Sequence, residues 1–132
     1  MLILDTHALV WMDQGSDLLG RRARRLIEDA YRDETLGVAA VTFWEVGMLI
    51  KNQRLAFQGS ISDWRVALLN SGITELPADG KISLTAAELE DFEGDAVDRL
   101  ISATAIVHEG RLVTADERML THRAVKTVNG LN

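Results

Sequence analysis

Residues 1–12, MLILDTHALVWM, decide how the chain is read. Met1 to Leu4 form an unbroken apolar run, which marks a buried strand. Asp5 ends that run, and Thr6-His7 opens a stretch with helical spacing. A buried strand that stops on a carboxylate has two explanations. Either Asp5 caps the next helix, or it is one of several carboxylates gathered to hold a cation.

The same alternation continues downstream. LGVAAV (36–41), ITEL (73–76), RLVT (111–114) and AVKTVN (125–130) read as further strands. Between them lie helix-period stretches over 6–13, 17–33, 42–53, a segment capped by Ser60 or Ser62 and running to Leu69, and 96–109. Another starts at Ser83 or Thr85 and ends near Gly94, and DERMLTH (116–122) forms a last helix. Ser71-Gly72 and Pro77 act as stops, and Gly110 is placed as the C′ residue of the 96–109 helix. Strand and helix alternate without hairpin signals, which predicts an α/β fold with a parallel sheet and helices on both faces. No linker or repeat divides residues 1–132, so a single domain is expected.

Composition narrows the chemistry. The chain has 132 residues, 47% hydrophobic, with one proline, so it is long enough for a buried core and unlike a disordered segment. It has no cysteine, which removes disulfides and thiolate metal sites. The apolar start is broken by Asp5 and has no basic segment before it, unlike a signal peptide. No apolar run reaches the length of a membrane span, and a cytoplasmic protein is expected. The net charge of −6 argues against a broadly basic nucleic-acid surface. It is compatible with acids concentrated at a cation site.

Three acids fall where strands give way to helices: Asp5 after strand one, Glu45 in VTFWEV after strand two, and Asp116 in LVTADERML after strand four. In open parallel sheets these strand ends share one edge, where ligands bind. Asp98, in GDAVDRLISATA, opens the helix that leads into strand four. That helix is expected to run back from the opposite edge unless its first turn projects towards the site. Each acid also has a local reading. Thr42-Phe43-Trp44-Glu45 fits a capping box, Asp95 and Asp98 suit an N-cap and first turn, and Asp116 suits an N-cap. The group is harder to explain as caps alone. Ionised carboxylates about 6 Å apart repel by roughly 3 kcal/mol per pair at an effective dielectric near 20. Several such pairs compare with a whole domain's stability of about 5–15 kcal/mol. Protonation or a bound cation must answer that, and oxygen-only donors suit Mg²⁺ or Mn²⁺ better than zinc. Such a cation can acidify water and stabilise a leaving oxygen, which points to phosphodiester hydrolysis.

LILDTHALVW, VTFWEV, DAVDRLISATA and LVTADERML, in this order and spacing, resemble the PIN domain, and within it the VapC-type toxin ribonucleases of toxin–antitoxin pairs. The resemblance spans essentially the whole chain. It implies a PIN-like three-layer sandwich whose five-stranded parallel sheet has the order 3-2-1-4-5. It also implies a Mg²⁺- or Mn²⁺-dependent endoribonuclease, an RNA substrate, a cognate antitoxin and a homodimer. Carried over by position, the acidic site is Asp5, Glu45, Asp98 and Asp116, with Thr114 as the nearby hydroxyl and Asp95 as an additional acid. Related chains often have Asp-Pro-Phe-Asp-Arg where this one has Asp95-Ala96-Val97-Asp98-Arg99. The missing proline frees φ at the first helical position, while both acids stay.

Other residues have plainer readings. Arg21, Arg22, Arg24 and Arg25 form a solvated helix face or, alternatively, a phosphate-contacting one. Arg99 is open between a scissile phosphate and an acid partner. His7 is read as packed on its helix rather than as a proton carrier, and His108 and His122 carry no catalytic role. Trp11, Trp44 and Trp64 read as core or interface anchors rather than base-stacking platforms. A phosphorylation-switched receiver module has a similar length and sheet. It would need paired acids after strand one, an Asp ending strand three and a lysine after strand five. Here strand three runs into Leu76-Pro77, and Lys126 lies inside the last strand. A PIN-like module that binds RNA or protein without cutting stays as the alternative.

Overall fold

The computed structural model describes residues 1–132. Five short strands, β1 (Leu2–Leu4), β2 (Leu36–Ala39), β3 (Thr74–Leu76), β4 (Arg111–Thr114) and β5 (Thr127–Asn129), form one sheet. Their order is β3-β2-β1-β4-β5, and every pairing is parallel. Seven helices connect them: α1 (Thr6–Gln14), α2 (Arg21–Arg32), α3 (Val41–Lys51), α4 (Ile61–Asn70), α5 (Gly80–Glu88), α6 (Ala96–Val107) and α7 (Glu117–Leu120). No helix is long and apolar enough to cross a membrane.

The period-2 alternation of β1 sorts the core into two layers. Leu2 and Leu4 pack with Ala8, Leu9, Ala23 and Ile27 of α1 and α2 on one face. Ile3 packs with Val97, Ile101 and Ala105 of α6 and with Leu112 on the other. A smaller cluster, Ile82 and Ala86 against Ala103, attaches α5 to the outer side of α6. With both faces covered, β1 is buried throughout, which is why its sequence is a continuous apolar run.

β1 sits at the centre, with Leu4 opposite Val38 of β2 and Val113 of β4. The chain departs to one side through β2 and β3 and to the other through β4 and β5. The crevice of such a sheet opens between β1 and β4 at the carboxyl edge, and Asp5 is the first residue beyond β1 there. α6 runs antiparallel to the strand it feeds. Its first turn therefore lies at the carboxyl edge, and the expected start at the opposite edge is corrected.

Several boundaries differ from the sequence reading. α2 begins at Arg21 rather than 17, because Gly20 is its N-cap and donates its N–H to Gly130 just past β5 (2.8 Å). Val41 belongs to α3 rather than to β2, and Ala40 is already helical at the N-cap. α5 starts at Gly80, capped by Asp79, and ends at Glu88, well short of Gly94. α7 is a single turn and β5 only three residues. At the end of α6 the left-handed residue is Glu109 (φ 51°), not Gly110. Glycine is needed at 110 for a different reason: a Cβ there would lie 2.8 Å from the Met1 carbonyl oxygen of the neighbouring strand.

Leu112 is fully buried at the centre of the α6 layer. Leu112→Ala is expected to lower stability by about 2–5 kcal/mol in urea denaturation. A cost below about 1 kcal/mol would show that the layer repacks rather than holding a cavity.

Candidate active site

The carboxyl edge carries a cleft of about 340 Å³ lined by Asp5, Glu45, Asp95, Asp98, Asp116 and Arg118, among others. Four separate parts of the fold deliver these side chains, and most of them also secure a helix end.

Asp5 caps α1 and is buried at 5% exposure. Its Oδ1 accepts the Ala8 N–H (2.8 Å), while its own N–H donates to Val113 of β4 (3.1 Å). Burial pushes its carboxyl above the ordinary range, with the Thr114 hydroxyl and the Ala8 N–H opposing that rise. The cap explanation of a strand ending on a carboxylate therefore holds, and the same residue also lines the acid-walled cleft.

Glu45 lies just past the first turn of α3, half-buried. The expected capping box from Thr42 is not formed, since the N-cap is Ala40 and no side chain caps this helix. The buried Thr42 hydroxyl instead meets the Thr6 hydroxyl (3.3 Å), tying α3 to α1 directly beneath the cleft. Glu45 is thus free of local duty.

Asp95 and Asp98 form a full capping box. Asp95 Oδ1 accepts the Asp98 N–H (2.9 Å), and Asp98 Oδ2 accepts the Asp95 N–H (3.2 Å). Oxygens of Glu45, Asp95 and Asp98 all lie within 4.8 Å of one another. Burial, then the charges of Asp95, Asp116 and Glu45, push the Asp98 carboxyl up to about 6. Gly94 lets the preceding loop pass close by, because a Cβ there would come 2.7 Å from Asp98 Cβ.

Asp116 caps α7 and faces Arg118. Its Oδ1 accepts from Arg118 N–H (2.9 Å) and Nε (3.1 Å), and its Oδ2 accepts from Nη2 (2.8 Å). The same Nη2 reaches Asp98 Oδ2 at 3.3 Å. This guanidinium holds the Asp116 carboxyl below the usual carboxylate range. Thr114, fully buried, accepts the Asp116 N–H on its hydroxyl (3.1 Å), so it fixes the turn that presents Asp116.

Four expectations need correction or addition. Arg99 does not reach the cleft: it donates to the carbonyls of Ala86 and Leu89 at the end of α5, and its guanidinium lies over the Phe92 ring. His7 is exposed rather than packed away, and lines the cleft with Trp11, its ring 6.2 Å from the indole. Trp44 is 60% exposed and anchors no core. Arg118 was missing from the sequence reading, and its only signal was a basic residue two positions after an N-cap acid in DERML.

The donor set is entirely carboxylate oxygen and closely grouped, five acids against one guanidinium, which fits a hard divalent cation such as Mg²⁺ or Mn²⁺. Glu45, Asp95 and Asp98 make the tightest group, with Asp5 and Asp116 on the same walls.

The raised Asp98 carboxyl gives a stability signature. Its folded pKa exceeds the unfolded one, so its ionisation penalises the fold. That penalty is absent below about pH 4, grows as pH rises, and is complete above about pH 6. Asp98→Asn in EDTA is expected to gain about 1–2 kcal/mol at pH 8 and nothing at pH 4. Equal effects at both pH values would assign the change to something other than charge.

Comparison with known proteins agrees with this geometry. Residues 2–125 match the PIN domain family. The chain is 34% identical over 131 residues to Ribonuclease VapC22 of Mycobacterium tuberculosis, spanning 96% of this chain and 95% of that protein. Solved structures share the fold at lower identity. A toxin–antitoxin complex from Klebsiella pneumoniae matches with a TM-score of 0.66 at 20% identity, over 98% of both chains. VapBC2 from Rickettsia felis, bound to a promoter DNA fragment, matches at 0.72 and 15% identity, over 97% of both. With the sheet order, the acid-lined edge and these matches in agreement, the chain belongs to the PIN domain family.

Proposed function

We propose that this chain is a divalent-cation-dependent endoribonuclease of the VapC type, acting as the toxin of a toxin–antitoxin pair. The observation that carries this reading is the oxygen-only cluster of Glu45, Asp95 and Asp98 with Asp5 and Asp116 on the same cleft walls. The 34% identity to a ribonuclease over nearly the whole chain supports RNA as the substrate. Asp5, Glu45, Asp98 and Asp116 hold the cation, and Asp95 shares in it. Mg²⁺ is its identity, with Mn²⁺ as a substitute. Bound there, a divalent cation supplies Lewis-acid stabilisation of phosphoryl charge and acidifies water.

The chain's own residues supply the positioning. Thr114 and the caps of α1, α6 and α7 hold the carboxylates without relying on flexible side-chain rotors. His7 at the cleft wall stands where it can contact substrate. Arg21, Arg22 and Arg25 are exposed on α2, whereas Arg24 is engaged with the carbonyls of Ser16 and Leu19. The first turn of α2 stands beside Gly130, at the same carboxyl edge as the cleft. The exposure of those three arginines at this edge supports, beside a plain solvated face, contact with RNA phosphates that the acidic cleft itself repels. The likeness to toxin–antitoxin complexes supports a protein inhibitor as partner. Exposed Trp44 and Val66 offer apolar surface for a second copy.

The test is cleavage of total cellular RNA by the purified chain with Mg²⁺ or Mn²⁺. Cutting should stop in EDTA, and Asp5→Asn or Asp98→Asn should lower it at least about 100-fold. A variant that loses the acids yet cuts at the wild-type rate would place the chemistry elsewhere. RNA binding without cutting, in protein shown to bind Mn²⁺, would favour the non-catalytic module.

A further inference from the structure

Asp116 is the acid whose geometry fits a cation least well. Both of its oxygens are committed to Arg118, one to the backbone N–H and Nε, the other to Nη2. It is also absent from the tight group formed by Glu45, Asp95 and Asp98. The same guanidinium reaches Asp98 Oδ2 through Nη2 (3.3 Å) and the Glu93 carbonyl through Nη1 (3.3 Å). One side chain thus joins the turn after β4, the start of α6 and the loop before α6. Its side chain is 45% exposed, so it has room to swing outward.

We propose that Arg118 competes with the divalent cation for Asp98 and Asp116, so that cation binding and release of the guanidinium form a single exchange. This rests on the cation reading given above. For Asp116 to turn towards Glu45 and Asp98, its two-point pairing with Arg118 must open, because a guanidinium fork holds both carboxylate oxygens in one plane. Releasing the fork also frees the Glu93 carbonyl. The cost of cation uptake then includes undoing the contact that pins loop 89–95 to α7.

The opposing possibility has the opposite sign. Each carboxylate oxygen has a second lone pair. A guanidinium that only oriented the acids would help the cation, and its removal would weaken binding.

The experiment is Mn²⁺ titration by calorimetry on the purified wild-type chain, Arg118→Gln and Arg118→Lys, with melting curves in EDTA and in excess Mn²⁺. Exchange predicts that Arg118→Gln binds Mn²⁺ roughly five- to tenfold tighter than wild type, in line with losing one partly exposed, two-point ion pair. It also predicts a lower melting temperature in EDTA and a larger rise on adding Mn²⁺. Arg118→Lys keeps the charge but loses the fork, so it should tighten binding roughly two- to threefold. It carries the test if the Gln variant does not fold in EDTA. Equal or weaker Mn²⁺ binding by the variants, with wild type binding normally, overturns the exchange. If neither wild type nor variants bind Mn²⁺, the cation reading falls and takes the exchange with it. Binding by Arg118→Gln alone would show the guanidinium outcompeting the cation.

Discussion

The repulsion among Asp5, Glu45, Asp95, Asp98 and Asp116 sets the terms for the residues around them. Three of these groups have oxygens within 4.8 Å of one another, a spacing at which each ionised pair costs roughly 3.5 kcal/mol at an effective dielectric near 20. A domain with about 5–15 kcal/mol in hand cannot carry several such pairs unanswered. The answers are visible: backbone N–H groups at the starts of α1, α6 and α7, the Thr114 hydroxyl, and the Arg118 guanidinium. Where these fall short, the carboxyl holds its proton to higher pH, as at Asp98, pushed up to about 6 by burial and its acid neighbours.

The sheet is what makes such crowding possible. Parallel strands bring residues far apart in the chain to one edge, so four segments each deliver an acid there. A rigid floor is also required. The Thr6–Thr42 hydroxyl contact locks α1 to α3, and Ile101 of α6 packs beneath the site in the same layer as Ile3 and Leu112. Charge repulsion above is therefore resisted by close-packed apolar groups below.

The parallel pairing and the acid-bearing junctions were legible in the sequence because each rests on a local signal, whereas the strand order came only from the family resemblance. MLIL is an apolar run and RLVT a short β-prone one centred on Leu112 and Val113, and the acids stand immediately after or within a turn of such strands. What escaped depends on contacts between distant segments. Arg118 meets Asp98 across twenty positions, and Arg99 meets Ala86 and Leu89 across a loop with no periodicity. The start of α5 was misplaced because Asp79, Ser83 and Thr85 are all competent caps, and only packing chooses among them. Thr42 likewise looked like a cap, and it was drawn away by a hydroxyl on another helix. The direction of α6 followed from topology: a helix returning between parallel strands starts at their carboxyl edge.

The caps on α1, α6 and α7 have a consequence for how such a chain ages. Asp5, Asp95 and Asp116 each terminate a helix with a side-chain oxygen that asparagine can supply equally well. A descendant that traded acid for amide at these positions would keep its architecture while losing its negative charge. Three conservative changes would then neutralise much of the cleft wall, and the altered chain would look almost unchanged in outline. In this fold the scaffold does not enforce the charge.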